Sequence, residues 1–310
     1  MREVLEKNRR MLVYLVASNL LLFFGFRLWQ TLFNNFAVEE LGIGPAGIGW
    51  VQALRELPGL LGFTLGFLAL FLSEIRIIAL SVILLGAGLI MTGGAEGFLF
   101  LAVSTLVMSF GFHFFYPTNN AVVLMAVDKR NAPKVLGQLG SLNAVAMIAA
   151  TGAVYLLADP LGYRMLYLMV GGLILVGGLF LLPFKGAKES LPPRRQVVLR
   201  RRYWLYYALS FLMGSRRHIF TTFAIFLLVR EYGISVQTTA MLFLVNSLVN
   251  VFALRWVGRL VGHLGERLML SIAFSTLVIV FLGYAYVTYL PALFVLFVIS
   301  LPALCAAASE

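Results

Sequence analysis

Residues 11–38 read MLVYLVASNLLLFFGFRLWQTLFNNFAV, a stretch whose one charged side chain is Arg27. At a helical rise of about 1.5 Å per residue it covers roughly 40 Å, more than the ~30 Å hydrocarbon core of a bilayer. Similar apolar runs recur outward from it at 48–72, 75–94, 98–127, 135–158, 163–184, 203–229, 238–257, 268–289 and 292–308. Most connections are a few residues long, so successive helices run antiparallel and pack as neighbours. The expectation is an all-α membrane protein with about ten transmembrane helices.

Composition agrees. The 310 residues are 61% hydrophobic and 12% charged, with a mean hydropathy of +0.94, whereas soluble domains carry about 25% charged residues. Soluble α/β and β folds are excluded. The net charge of +11 does not point to nucleic acid, because such binders display basic residues on water-exposed folded domains. Here Lys and Arg flank apolar segments, where they set orientation and attract anionic headgroups, so the partner is the lipid bilayer. The single cysteine, Cys305, permits neither an intrachain disulfide nor a cysteine-based metal cluster. Met1–Arg10 is basic and precedes an apolar run, as in a secretory signal. The run continues past Arg27 without a small-residue cleavage site and reads as a retained first helix.

Eighteen of the 24 Lys and Arg fall on one side of these spans, clustered at 2–10, 129–134, 185–202 and 255–267 with Arg76 between. The other side has Arg164 and Arg230 beside Glu39, Glu40, Glu96, Asp159 and Glu231. Positive charge stays inside, so the N-terminus is expected to be cytoplasmic in a multi-pass cell-membrane protein. The stretch 185–202, with Pro192 and Pro193, is the longest hydrophilic segment. It divides the chain into a six-helix bundle (1–184), a basic cytoplasmic linker (185–202) and a second, incomplete bundle (203–310).

An internal repeat links the halves. Glu40, Gly42 and Ile43 recur as Glu231, Gly233 and Ile234 at an offset of 191. Gly25 and Arg27 find Gly214 and Arg216 at 189, and Ser73-Glu74-Ile75-Arg76 meets Gly265-Glu266-Arg267-Leu268 at 192. Duplicated halves are a common transporter architecture.

The loop Gly258-Arg259-Leu260-Val261-Gly262-His263-Leu264-Gly265-Glu266-Arg267 is similar to the glycine-rich, basic cytoplasmic-loop signature of the major facilitator superfamily. Gly66 to Arg76 reads as a degraded first copy, and Asp128 to Lys134 with Gly137 looks like the family's loop between helices four and five. The resemblance implies two six-helix bundles rocking about a central cavity. It also implies that the loop residues Gly258, Arg259, Gly262, Gly265, Glu266 and Arg267 act as a conformational switch. The sequence stops at Glu310, so the last two of the family's twelve helices are expected to be missing. The stretch Ala149-Ala150-Thr151-Gly152 lacks the Gly-Pro signature of the proton-driven antiporters.

Four arginines, Arg27, Arg55, Arg216 and Arg217, fall inside the predicted spans. Each costs about 2.5–3.5 kcal/mol at the centre of a bilayer, so such residues face protein or a water-filled cavity. Arg27 lies roughly 16 Å and Glu56 roughly 12 Å below the outer ends of their helices, near enough in depth to meet. Lock and substrate-or-proton site are equal readings of that pair. Arg55, Arg216, Arg217 and His218 are expected to lack a carboxylate partner, which leaves an electropositive cavity suited to an organic anion; snorkelling or carbonyl contacts are the alternative. Glu56 is the one carboxylate well inside a span and thus the candidate proton carrier. On the fourth span, His113 and Asn119 are candidate substrate contacts beside Pro117, with interhelical bonding the plainer use of Asn119.

No phosphate loop or His-Glu-x-x-His zinc pattern is present. Ser104 and Ser109 have no base and orienter, and the three histidines lie on different helices. No enzyme activity, cofactor or metal is expected. The sequence therefore reads as a secondary active transporter, expected to be a monomer, moving a small solute by alternating access. Its competitor is a non-transporting polytopic membrane protein or an inactive transporter fragment.

Overall fold

The opening apolar run becomes one helix, α1 (Arg2–Asn35), because it contains no proline and its lone glycine, Gly25, is held against Leu85 and Ile174. A computed structural model describes residues 2–127, 131–184, 201–205, 208, 222–249 and 266–306, and among these every regular element is helical. The chain divides into two compact units, Met1–Val198 and Leu199–Glu310.

In the first unit, α1 loosens into a π-helical turn, Phe36–Glu40, and stops at Gly42, whose φ of +61° is left-handed. The Ile43 N–H then reaches six residues back to the Ala37 carbonyl at 2.8 Å, and Ile43 is buried. A left-handed glycine followed by a buried apolar residue is the usual closure of a helix C-terminus.

Pro45 opens α2 (Pro45–Leu60), a position where its missing N–H costs nothing. The second span was expected to run unbroken over 48–72, but it is interrupted. After Pro58 and Gly59 it passes through a 3₁₀ turn, Leu61–Thr64, and resumes as α3 (Leu65–Phe71), bent by 55°. Pro58 removes a helical donor and Gly59, Gly62 and Gly66 weaken helix propensity, so the sequence contains the cause of the bend.

The chain then forms α4 (Glu74–Gly93), α5 (Phe98–Ala126) and α6 (Ala132–Leu181). The fifth and sixth predicted spans are joined in α6. Its 50 residues would extend roughly 75 Å if straight, more than two bilayer cores. Gly162, at φ +74° and ψ 163°, breaks it into two arms. The helix α4 sits between α5 and the second arm of α6, and glycines let the backbones touch. A Cβ on Gly88 would come within 2.5 Å of the Met108 backbone, and one on Gly86 within 2.5 Å of the Leu175 nitrogen. Small residues at helix contacts are the normal means of packing where lipid supplies no hydrophobic drive. By length and composition α1, α4, α5 and α6 can cross a membrane, and α2 with α3 forms a fifth, bent crossing.

In the second unit the described helices are α7 (222–232), α8 (Val236–Val249), α9 (Glu266–Tyr286) and α10 (Leu290–Ala306). Tyr284 of α9 donates to the Leu293 carbonyl of α10 at 3.1 Å, and Phe243 of α8 meets Phe297 of α10 edge-on at 5.8 Å. The end of α7 repeats the end of the first span. Gly233 has φ +59°, the Ile234 N–H reaches back to the Leu228 carbonyl at 3.4 Å, and Ile234 is buried. Gly42 and Gly233, Ile43 and Ile234, and Ala37 and Leu228 are each 191 positions apart. The sequence repeat is thus the same helix cap made twice.

Candidate functional site

Successive residues of an α-helix turn by about 100°, so Phe23, Phe26, Arg27 and Gln30 share one face of α1. The opposite face, with Leu22, Leu28, Trp29 and Leu32, is buried in the bundle. A face that carries an arginine and a glutamine at mid-span does not suit acyl chains. Arg27 is 8% exposed, and its guanidinium donates to Gln30 at 3.0 Å while the Thr31 hydroxyl donates to the Arg27 carbonyl at 2.9 Å.

From α2 come Gln52, Arg55 and Glu56. Arg55 is 7% exposed; its Nε donates to Gln52 at 2.7 Å and its Nη2 pairs with Glu56 Oε1 at 2.5 Å. This corrects the expectation that Arg55 lacks a carboxylate. Neighbours on a helix diverge by about 100°, but the long arginine side chain reaches back along the surface to the adjacent acid. Its guanidinium also lies 5.8 Å from the centre of the Trp29 ring on α1. The sequence placed Arg27 and Glu56 at compatible depths; in the folded chain it is Arg55 that forms the ion pair with Glu56.

The third contribution is from α5. Nε2 of His113 lies 3.7 Å from the second oxygen of Glu56, and the Ser109 hydroxyl donates to the Arg55 carbonyl. Gly59 makes room for the imidazole, since a Cβ there would sit 2.9 Å from His113 Cε1 and Nδ1. Pro117 lacks the N–H that would otherwise bond the His113 carbonyl. Both helices therefore carry a proline within one turn of the cluster. Four polar side chains, Arg55, Glu56, His113 and Gln52, converge where the second span begins to bend.

Asn119 has another setting. Its carbonyl oxygen accepts from Asn19 Nδ2 at 2.8 Å, joining α1 to α5, and both residues are buried. Arg216, Arg217 and His218 lie outside the described residues, as do Gly258, Arg259, Gly262 and Gly265; Glu266 and Arg267 open α9. Among the described residues no group of three His, Cys, Asp or Glu could hold a metal.

Sequence reasoning did not single out Gln52, Gly59, Asn19 or the role of Ser109. Gln52 was within reach, because it stands three residues before Arg55, as Gln30 does after Arg27, and residues so spaced meet on a helix surface. A second polar group went unforeseen at the C-terminal end of α1. Glu39 accepts from Tyr163 at 2.7 Å and from Asn35 at 2.6 Å. Arg164 pairs with Glu40 at 2.7 Å and donates to the Gly93 and Ala95 carbonyls at 3.1 and 2.8 Å. These contacts tie the π-helical turn to the ends of α4 and the second arm of α6.

The family model for the Major Facilitator Superfamily matches residues 15–309. No curated protein matches the chain by sequence. Solved structures with a similar fold include a point mutant of the nucleoside transporter NupG, with a TM-score of 0.73 and 17% identity, covering 96% of this chain and 79% of that one. A bacterial homolog of the human lysosomal transporter Spinster, inward-facing and occupied, has a TM-score of 0.69 at 17% identity, covering 96% and 73%. An auto-inhibited peptide transporter of the POT family has 0.64 at 14% identity, covering 97% and 81%.

Proposed function

The chain belongs to the major facilitator superfamily, and from that premise we propose that it is a secondary transporter that carries a small organic anion across the cell membrane by alternating access. The observation that supports this most is the presence of two buried arginines, Arg27 on α1 and Arg55 on α2 at 8% and 7% exposure, the second of them paired with Glu56, which His113 also faces. Arginines buried at membrane depth suit an incoming carboxylate or phosphate, which a guanidinium binds through paired N–H groups.

In this reading Arg27 and Arg55 bind the anion, with His113 as a hydrogen-bond partner, and Gln30 and Gln52 hold the two guanidinium groups in place. Glu56 is the proton-coupling residue. When it is ionised it occupies Arg55; when it is protonated Arg55 is released to the substrate. Arg216, Arg217, His218 and Asn119 are further proposed substrate contacts, and the loop from Gly258 to Arg267 is the proposed conformational switch. The proposed organisation is a bundle at 1–184, a linker at 185–202 and a second bundle from 203, with the N-terminus in the cytoplasm. The proposed working unit is the monomer.

The test is uptake of a panel of labelled organic anions into proteoliposomes under an imposed proton gradient. Arg27→Gln, Arg55→Gln and Arg216→Ala should raise KM or abolish uptake, and Glu56→Gln should remove gradient-driven accumulation. Unchanged transport in all four variants would reject the assignment.

A further inference from the structure

Arg9 and Arg10 are the last charged residues before the apolar run that opens the first span. Beside them lies a cavity of about 510 Å³, lined by Arg9, Arg10, Val13 and Phe184. Small-ligand sites occupy about 300–1,000 Å³. Both arginines and Val13 are exposed, and no acidic side chain is among the described lining residues. The apolar wall is preformed. Phe184 leans on Tyr14 with ring centres 4.7 Å apart, and Tyr14 is itself buried, its hydroxyl donating to the Ile75 carbonyl at 2.6 Å. Arg10 stands 17 residues before Arg27, roughly 25 Å along the helix, so this cavity is separate from the cluster on α1, α2 and α5. Two cations against a valine and a phenylalanine suit a ligand that is anionic at one end and apolar at the other.

The surroundings identify the apolar end. On α1, Leu21 meets Gly177 and Gly25 meets Ile174, so α1 and the second arm of α6 run antiparallel with these residues face to face. Val13 lies roughly 80° round α1 from Leu21, and Phe180 lies roughly 60° round α6 from Gly177. In antiparallel helices these two offsets turn towards the same side. The opposite side is closed by α4, whose Ile83 lies against Gly178. On the side of the cavity, Met169, Leu173, Val176 and Phe180 are 53%, 62%, 48% and 81% exposed. Their spacing makes one unbroken apolar stripe on a helix long enough to cross the membrane, and such a stripe faces acyl chains. From Phe180 back to Met169 it runs roughly 16 Å, the depth of hydrocarbon in one leaflet, about 15 Å.

We infer that this cavity is a binding site for an anionic phospholipid, its phosphate held by Arg9 and Arg10 and one acyl chain passing Val13 and Phe184 onto the exposed stripe of α6. The inference requires only that the chain spans a membrane and is independent of the anion-transport reading above. Basic residues near a bilayer attract anionic headgroups diffusely, by roughly fivefold for each Lys or Arg. A cavity with a rigid apolar wall adds what diffuse attraction lacks, a fixed position and saturation by one molecule.

The test titrates the full chain in detergent with dioleoyl phosphatidylglycerol or with dioleoyl phosphatidylcholine, which has the same acyl chains and no net charge, and counts bound lipid by native mass spectrometry. The expected result is one phosphatidylglycerol bound ahead of any further lipid, with a preference over phosphatidylcholine of up to about 25-fold from the two arginines. Arg9→Gln and Arg10→Gln should each lower that preference about fivefold. Lys134→Gln, which removes an exposed charge outside the cavity, should leave it unchanged. Val13→Trp keeps every charge and fills the cavity, so it should weaken phosphatidylglycerol binding. Each preference compares two lipids on one preparation, so a partly unfolded sample does not imitate the effect. Equal binding of the two lipids would overturn the inference. So would an equal loss in Lys134→Gln and Arg9→Gln, or an unaffected Val13→Trp, since either outcome means diffuse attraction. Displacement of the lipid by inorganic phosphate or glycerol 3-phosphate would show that the cavity takes a free anion, and would overturn it as well.

Discussion

Two consecutive glycines on the second arm of α6 are predicted to respond oppositely to the same substitution. A Cβ on Gly171 would lie 2.8 Å from Ile90 N and from Ile90 Cγ1, and 3.0 Å from the Gly86 carbonyl oxygen, whereas one on Gly172 would meet nothing within 4 Å. Favourable separations for carbon are about 3.5–4.0 Å, so Gly171→Ala must move α6 from α4 by several tenths of an ångström or more. The atoms in its way are mostly backbone and cannot rotate aside. Gly86, across the same contact, has equally little room, its own Cβ position lying 2.5 Å from Leu175 N. Overpacking of this kind costs about 1–3 kcal/mol. Both substitutions share the helix-propensity gain of up to about 1 kcal/mol for alanine over glycine, which cancels between them. Reversible unfolding in mixed micelles of SDS and a mild detergent, followed by tryptophan fluorescence, should therefore place Gly171→Ala about 1–3 kcal/mol below Gly172→Ala. Equal stabilities would mean that α4 and α6 are not in backbone contact, and would refute this packing of the first unit.

Gly42→Ala and Gly233→Ala should each cost about 1–2 kcal/mol, because an L side chain is strained in the left-handed region; no neighbour lies within 4 Å of either Cβ position, so strain alone acts. The same unfolding measurement should give two similar values, and a large difference would count against their equivalence as repeated caps. Glu56→Gln should destabilise by roughly 1–3 kcal/mol, less than a fully enclosed pair because the Glu56 side chain is 31% exposed. The double variant Arg55→Gln/Glu56→Gln should recover part of that loss, and a strictly additive cycle would contradict the pairing. In a Cys305→Ser background, single cysteines at Lys7 and Glu96 should react with an impermeant maleimide from opposite sides of the membrane, Glu96→Cys from outside; labelling of Lys7→Cys from outside and Glu96→Cys from inside would reverse the proposed orientation.

The sequence carried the membrane class because insertion depends on long apolar runs, which a single chain displays openly. It also carried the repeat at Gly42 and Gly233, since only glycine takes that backbone conformation without strain and its spacing from the following isoleucine is fixed by the cap. The break in the second span was written in Pro58, Gly59 and Gly62, but hydropathy is blind to it because all three are compatible with an apolar window. The fusion of two spans in α6 was hidden for a related reason: Asp159 and Pro160 read as a loop, yet a single non-helical residue, Gly162, suffices to break the helix. The candidate site was partly visible. Arg27, Arg55, Glu56 and His113 stood out by their cost in lipid, while their partners did not. The ion pair between Arg55 and Glu56 depends on a side-chain trajectory, and the seating of His113 on Gly59 depends on how α2 meets α5. Neither leaves a mark on composition or spacing. Nor does the bond from Asn19 to Asn119, whose partners are 100 residues apart.

Anion transport by this chain requires that the α1 face bearing Arg27 border a water-filled, anion-accepting gap. With Cys305 replaced by serine, cysteines are placed one at a time at Gln30, on that face, and at Leu173, an exposed apolar position of α6. Each is treated with a membrane-impermeant, negatively charged methanethiosulfonate. Modification of Gln30→Cys with Leu173→Cys inert, and slowing of the former by an organic anion, is the predicted outcome. A reactive Leu173→Cys beside an inert Gln30→Cys would contradict the placement of the gap.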